Sequence, residues 1–432
     1  MTGSGSNQLE LTGGKPLKGE ITVPGDKSIS HRALLLGSLA TGESFVRNIA
    51  PGEDLRSMVS CLSQLGVEIQ DGNDGISVLG KGLMNYTPPG SALDAGNSGT
   101  LIRLLTGVLC GQNFTSVITG DESLRSRPMK RIVVPLKKME AEVISEDGHA
   151  PLKIEGGGLK GIVYRPKVAS AQVKSCVLLA GLAAEGRTVV VEPGPSRDHT
   201  ERMLKAMDYP VKVEENVIEV DGPQQLSPID STVPGDFSSA SYFIAAALIL
   251  EGSEILIRKV GLNSTRTGFL DLINKMGASV SVENRRTESE EPVGDIFVTY
   301  SDLKSVELSG SDVVKAIDEL PLLGVLATQA RGTTTVTDAE ELRVKETDRI
   351  KATVDNLRRL GADAHELQDG FVVEGQAPLS GGSVDSYMDH RIAMSMAVAA
   401  QVSDGKTTIV DPKWVEVSFP GFFDKLEELK DG

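Results

Sequence analysis

The chain has 432 residues, with 44 Lys and Arg against 60 Asp and Glu and a formal net charge of −16 at pH 7. Its length allows roughly two or three domains, and 40% hydrophobic residues supply enough apolar surface for a sizeable core, which excludes a disordered chain. The acidic balance excludes broad contact with nucleic acid or an anionic membrane, so any anionic ligand must meet a local basic cluster.

At the N-terminus, MTGSGSNQ lacks the basic and apolar regions of a targeting signal, and no stretch approaches the roughly 18 uninterrupted apolar residues of a membrane span. A soluble cytoplasmic protein with its first few residues loose is expected. Cys61, Cys110 and Cys176 are odd in number and set in apolar helical runs, which fits buried free thiols in a reducing compartment.

Ile21-Thr-Val23 reads as a strand and Ala33 to Ala40 as an apolar helix, with Gly25-Asp26-Lys27-Ser28-Ile29-Ser30-His31-Arg32 between them. A helix start offers unpaired N–H groups and a positive dipole end, so Lys27, Ser28 and Arg32 suit a phosphate or carboxylate; Ser-x-Ser there is equally a simple cap. Asn97-Ser98-Gly99-Thr100 repeats the arrangement ahead of Leu101 to Leu109, which carries Arg103. Ser170-Ala171-Gln172 opens Val173 to Leu182, with Lys167 and Lys174 nearby. Arg125-Ser-Arg127-Pro128-Met129 and Ser196-Arg197-Asp198-His199-Thr200 join arginine, whose planar fork fits phosphate or carboxylate, to a turn or cap residue; solvated loop charge is the alternative.

The acids come later, in Asp318-Glu319-Leu-Pro321 and in Arg343-Val-Lys345-Glu346-Thr-Asp348-Arg349. If the second segment is helical, Lys345 and Arg349 share a face, which is also what an exposed salt-bridged helix shows. Asp389-His390-Arg391 precedes the apolar run Ile392 to Ala400. There is no Walker loop and no Gly-x-Ser-x-Gly elbow, and His31, His149, His199, His365 and His390 are too dispersed to imply a metal site.

A repeat underlies these motifs. Leu62-Ser-Gln-Leu65, Leu136-Lys-Lys-Met139, Leu204-Lys-Ala-Met207, Ile273-Asn-Lys-Met276, Leu357-Arg-Arg-Leu360 and Leu426-Glu-Glu-Leu429 recur about every 70 residues, and the first five lead into alternating apolar residues. Each repeat is read as a small α/β unit whose helix ends where a strand begins. Val23-Pro24-Gly25-Asp26 returns as Val233-Pro234-Gly235-Asp236, followed each time by serine (Ser28, Ser238), an apolar helix and a helix-terminating glycine (Gly42, Gly252). The chain therefore reads as two halves of three units, with domain crossovers at the two Val-Pro-Gly-Asp sites. Only the first copy carries lysine, since Phe237 stands at the place of Lys27.

In their order, GDKSISHRALLLGSLA, GNSGTLIRLL, RPM, SAQVKS, SRDHTE, DELP, RVKETDR and MDHRIAM resemble the enolpyruvyl transferase family, from Lys27 to Ser418-Phe419-Pro420. The resemblance implies a two-domain α/β fold, each domain built of three βαβαββ units as an inside-out α/β barrel, with ligands in the cleft between domains. Residues 1–22 plus 236–432 would form one discontinuous domain and 23–235 the other, with hinges near 23–26 and 233–236. The activity implied is transfer of the enolpyruvyl group of phosphoenolpyruvate to the 5-hydroxyl of shikimate-3-phosphate, without metal or cofactor, by a monomer that binds neither nucleic acid nor membrane.

By the same resemblance, Lys27, Gly99, Arg127, Gln172, Arg349 and Arg391 bind phosphoenolpyruvate, with Gly99 also against the phosphonate of the inhibitor glyphosate. Lys27, Ser28, Arg32, Ser170, Ala171, Gln172, Arg197, Asp318 and Lys345 bind shikimate-3-phosphate. Lys27, Asp318 and Glu346 would move protons, Glu346 as a buried acid. The sequence follows the family's second branch in places: Leu104 stands where the best-known branch has proline, Ala171 where it has serine, and Val417 where it has lysine. Two alternatives are a transferase acting on UDP-N-acetylglucosamine and a non-catalytic anion-binding scaffold. Against the first, the loop Gly120 to Arg127 lacks cysteine, and Ser28 replaces asparagine after Lys27.

Overall fold

The computed structural model describes residues 8–72 and 74–430; the expected loose N-terminus falls on residues 1–7, outside the described residues. The chain divides into two compact units. The first holds the described residues up to Pro24, Gly235–Arg286 and those from Pro292 on; the second holds Gly25–Pro234 and Thr287–Glu291. Two of the passages, Pro24 to Gly25 and Pro234 to Gly235, fall inside the Val-Pro-Gly-Asp segments, and the other two flank Thr287–Glu291. Asp26 N donates to Pro234 O within the second unit and Asp236 N to Pro24 O within the first, each at 2.8 Å, so each unit ties its own chain ends together.

The second unit has three four-stranded sheets of one design. Their orders are Asp230–Thr232, Thr41–Arg47, Gly75–Lys81, Glu68–Gly72; then Leu93–Asp94, Thr115–Thr119, His149–Glu155, Glu142–Glu146; then Val163–Tyr164, Gly186–Val191, Val217–Gly222, Val211–Glu214. In each, the first pair is parallel and the rest antiparallel. The first unit repeats the design in two sheets. One starts with Lys18–Thr22 parallel to Glu254–Gly261 and the other with Glu307–Leu308 parallel to Thr333–Val336. Its third sheet has three described strands, with Gln8–Thr12 antiparallel to Lys406–Val410 and Ser383–Asp385 parallel to it. Alternation sets the faces: Ile255 and Ile257 are buried while Glu254 between sheet and solvent is not.

Most helices are of two kinds. Lys27–Leu39, Gly99–Cys110 and Ala171–Gly181 in the second unit, and Phe237–Ile249, Leu320–Gln329 and His390–Val402 in the first, are buried along nearly their whole length. Their apolar residues run all round the helix, as burial within a core demands. Six more are amphipathic and end in the repeated pattern, Glu53–Gln64, Lys130–Lys138, His199–Ala206, Gly268–Lys275, Arg349–Arg359 and Phe422–Glu428, while the short helices Glu122–Ser126 and Ser311–Ala316 belong to neither set. Arg349–Arg359, for example, buries Ile350, Val354 and Leu357 and exposes Lys351 and Arg358. The three cysteines are free and buried, and burial pushes the Cys61 and Cys110 thiols up to about 12.

Three local expectations are corrected. The first buried helix begins at Lys27 rather than Ala33, because Asp26 caps it by accepting from Ile29 N at 2.9 Å; Ser28 lies inside the helix, and Ser30 Oγ accepts from Ala50 N at 3.0 Å. Gly42 does not end that helix but lies in the strand Thr41–Arg47. The segment around Glu346 is not one helix: a 3-10 turn spans Glu340–Val344, Lys345 is extended, and Asp348 caps Arg349–Arg359, so Lys345 and Arg349 share no helical face.

Gly107 lets two buried helices meet. A Cβ there would lie 2.4 Å from Cys176 O on Ala171–Gly181, and backbone cannot yield as a side-chain tip can. Gly107→Ala is expected to cost about 1–3 kcal/mol, read as a lower urea midpoint than wild type.

Candidate active site

In the second unit, the polar residues gather where the buried helices start. Ser98 caps Gly99–Cys110 by accepting from Leu101 N at 3.2 Å, and Arg103 reaches back one turn to place Nη1 3.3 Å from Gly99 O. The same Nη1 donates to Gln172 Oε1 at 2.7 Å, and Gln172 Nε2 donates to Thr100 Oγ1 at 3.1 Å. Arg127 arrives from the turn before Lys130–Lys138, its Nη2 donating to Asn97 Oδ1 at 2.6 Å. A Cβ on Gly99 would stand 2.7 Å from Arg103 Nη1 and 3.4 Å from Arg127 Nη1, so Gly99 lies between two guanidinium groups. Such a bare backbone beside fixed cations can receive a phosphate or carboxylate.

Lys27 Nζ pairs with Asp54 at 3.1 Å. Arg32 is buried, and its three nitrogens donate within the unit, to Thr200 Oγ1 and Ser175 Oγ at 2.8 Å and Ser28 O at 2.9 Å. Burial lowers its guanidinium to about 10 even though Glu201 opposes this, and Arg197 is close enough to add to the lowering. Ser170 stands at the cap position of Ala171–Gly181 without a side-chain capping bond, and Ala171 is that helix's first residue. One turn on, Lys174 is buried between Glu192 Oε2 at 2.8 Å and Glu201 Oε1 at 2.7 Å. Ser196 donates to Glu192 at 2.5 Å, so this buried set anchors the loop that carries Arg197.

In the first unit, the acids and arginines form one cluster. Asp318 Oδ1 lies 3.5 Å from Arg349 Nη1, and its Oδ2 lies 3.6 Å from both Arg391 Nη2 and Arg266 Nη1. Arg349 also pairs with Glu346 through Nη2 at 2.6 Å and with Asp389 through Nε at 2.7 Å. Asp389 caps His390–Val402, accepting from Arg391 N at 2.8 Å. Burial alone would lower the Arg391 guanidinium; Asp318, Tyr242 and Glu319 outweigh it and hold Arg391 well above its ordinary value.

One expectation about this cluster changes. Glu346 is not buried: its side chain is 23% exposed and ion-paired to Arg349. The cluster's buried acids are Asp318, Asp389 and Glu319, and burial pushes the Glu319 carboxyl up against the opposing charge of Arg266. Lys345 is held by Glu341 at 3.7 Å on the 3-10 turn. Among the described residues, no group of three or more His, Cys, Asp or Glu is arranged to hold a metal ion, and no helix is long and apolar enough to cross a membrane.

The sequence model of the family described as EPSP synthase (3-phosphoshikimate 1-carboxyvinyltransferase) matches residues 11–426. The chain belongs to that family. It is 46% identical over 416 residues to the 3-phosphoshikimate 1-carboxyvinyltransferase of Bacillus licheniformis, covering 96% of this chain and 97% of the relative. With that of Citrifermentans bemidjiense it shares 50% over 415 residues, again 96% and 97%. A solved structure of EPSP synthase from Acinetobacter baumannii superposes with a TM-score of 0.88 at 44% identity, covering 98% of both chains. The two-unit architecture is the inside-out α/β fold of EPSP synthases, and the match favours that family over the transferase acting on the nucleotide sugar.

Sequence reading missed Asp54, Arg266 and the two glutamates, Glu192 and Glu201, that hold Lys174. Asp54 and Arg266 had a signal: they stand eight and seven residues ahead of the helix-end pattern, where other repeats of this EPSP synthase family member carry Arg127, Arg197 and Arg349. Lys174 reads as a cation near a helix start, but nothing in sequence marks its burial between two glutamates. His31, also buried, meets Ser98 Oγ through Nε2 at 3.3 Å, and burial lowers its imidazole to about 4 against the opposing pull of Asp54.

A depressed histidine is neutral in the fold and protonates first in the unfolded chain, so its contribution is complete above about pH 6.5 and is lost as pH falls towards 4. Between pH 7.5 and 5, wild type is expected to lose about 2 kcal/mol more than His31→Asn, measured from urea midpoints.

Proposed function

We propose that this chain transfers the enolpyruvyl group of phosphoenolpyruvate to the 5-hydroxyl of shikimate-3-phosphate and releases phosphate, the activity its relatives' name describes. The observation that carries the reading is the first unit's cluster, in which Asp318 and Glu346 share Arg349 while Arg391 adjoins Asp318. Carboxylates that can move protons stand beside cations that can hold an anion, which is more than a binding scaffold needs.

In this reading, carbon 3 of phosphoenolpyruvate takes a proton, the 5-hydroxyl oxygen bonds to carbon 2 and gives up its own proton, and a tetrahedral adduct forms. Phosphate then leaves with the electrons of its C2–O bond as a methyl proton is removed, which restores the double bond. Lys27 and Arg127 hold the phosphate beside Gly99, with Gln172 fixed by Arg103; Arg349 and Arg391 hold the carboxylate. Lys27, Ser28, Arg32, Ser170, Ala171, Gln172 and Arg197 receive shikimate-3-phosphate. Asp318 and Lys345 meet its hydroxyls, Asp318 or Lys27 taking the hydroxyl proton, and Glu346 serves carbon 3. One chain carries both residue sets, which supports action as a monomer, and buried free thiols support a reducing, cytoplasmic setting.

Phosphate release from phosphoenolpyruvate is expected only when shikimate-3-phosphate is present. Dependence on UDP-N-acetylglucosamine instead selects the other transferase, and binding of both substrates without release selects the scaffold. Glu346→Gln is expected to keep shikimate-3-phosphate affinity and lose about 100-fold or more in kcat; near-normal turnover removes Glu346 from proton transfer.

A further inference from the structure

Arg266 has no role in the reading above. It stands just before Gly268–Lys275, seven residues ahead of Ile273-Asn-Lys-Met276. Arg127, Arg197 and Arg349 stand seven to nine residues ahead of the same pattern in their own repeats, and all three are assigned to substrate. The repeat thus brings a fourth arginine to the start of an amphipathic helix.

Its surroundings are those of a built contact. Arg266 is 3% exposed. Its Nη2 donates to Ser238 Oγ at 2.7 Å and lies 3.4 Å from Asp236 Oδ1, while Nη1 lies 3.6 Å from Asp318 Oδ2. Ser238 donates in turn to Glu319 Oε1. One guanidinium therefore spans the cap of Phe237–Ile249 and the acid that precedes Leu320–Gln329. The turn presenting it is fixed by Asn263, whose Oδ1 accepts from Thr265 N at 3.0 Å and Thr265 Oγ1 at 2.8 Å, and whose O accepts from Arg266 N at 2.8 Å.

We propose that Arg266 is a positioning residue that fixes the Asp318 carboxylate for the hydroxyl of shikimate-3-phosphate, an inference that rests on the reading of Asp318 given above. Arg349, Arg391 and Arg266 surround the Asp318 carboxylate at 3.5 to 3.6 Å, so the position of each cation bears on how that carboxylate is oriented. Arg349 does not compensate for a loss, since its shorter contacts hold it to Glu346 and Asp389. Lysine does not replace the span either, because a single ammonium cannot face Ser238 and Asp318 through two separate nitrogens.

Arg266→Met is expected to lower kcat about 100-fold with both KM values within about threefold, and Arg266→Lys to lower it about tenfold. In an Asp318→Asn background, Arg266→Met is expected to cost less than about twofold more, because the route through Asp318 is already gone and independent roles would multiply. Normal kcat in Arg266→Met, or its full loss repeated on top of an impaired Asp318→Asn, overturns the role of Arg266 alone. Near-normal turnover in Asp318→Asn itself removes Asp318 from catalysis and this proposal with it. If circular dichroism shows Arg266→Met unfolded, the Arg266→Lys loss carries the same cycle and must disappear in Asp318→Asn.

Discussion

A helix buried on every side can hide its side chains but not its first backbone N–H groups, and that constraint governs this chain. Six helices are buried in this way, and their starts are where the cores admit polar atoms. Asp26, Ser98, Asp236 and Asp389 accept from backbone donors there. Once a core has opened a polar end, further charge can be placed beside it at less cost than anywhere along the helix. The candidate site is built at these ends for that reason, and the amphipathic helices add arginines from their own starts.

The two units use the same ends with opposite emphasis. Around Gly99 the fixed groups are cations, Arg103 and Arg127, held by neutral partners such as Gln172 and Asn97. In the first unit the starts carry acids, Asp236, Asp318, Glu319 and Asp389, and a helix dipole stabilises each by only about 0.3–1 kcal/mol when exposed and up to about 2 when partly buried. Breaking a buried ion pair by removing one partner costs about 3–5 kcal/mol. The arginines, rather than the dipoles, therefore decide whether so many carboxylates can stand together. Glu319, 1% exposed, answers its burial by a raised carboxyl and a serine donor.

Periodicity made the repeats legible, because the helix-end pattern depends on local spacing, and all six copies do end helices. Helix starts were harder. Residues 27–32 look polar enough for a loop, and only Asp26, acting three residues ahead, turns them into helix. Buried charge was least legible of all. Arg32 depends on Thr200, 168 residues away, and Lys174 on Glu192, 18 away, so neither partner can be inferred from the local pattern. Arg266 had a positional signal in the repeat, but its meaning lies in Asp236 and Asp318, which only the fold brings to it.

Leu104 shows how one departure from the better-known branch acts through geometry. A proline there would remove a donor inside Gly99–Cys110 and press on the preceding turn, bending the helix just above its start. Leucine keeps the helix regular and fills the core with its own side chain, fully buried. Arg103, one residue earlier, is then free of any kink to fold back over Gly99 and grip Gln172. The room above Gly99 is consequently set by an arginine that is itself hydrogen-bonded, to Gly99 O and to Gln172.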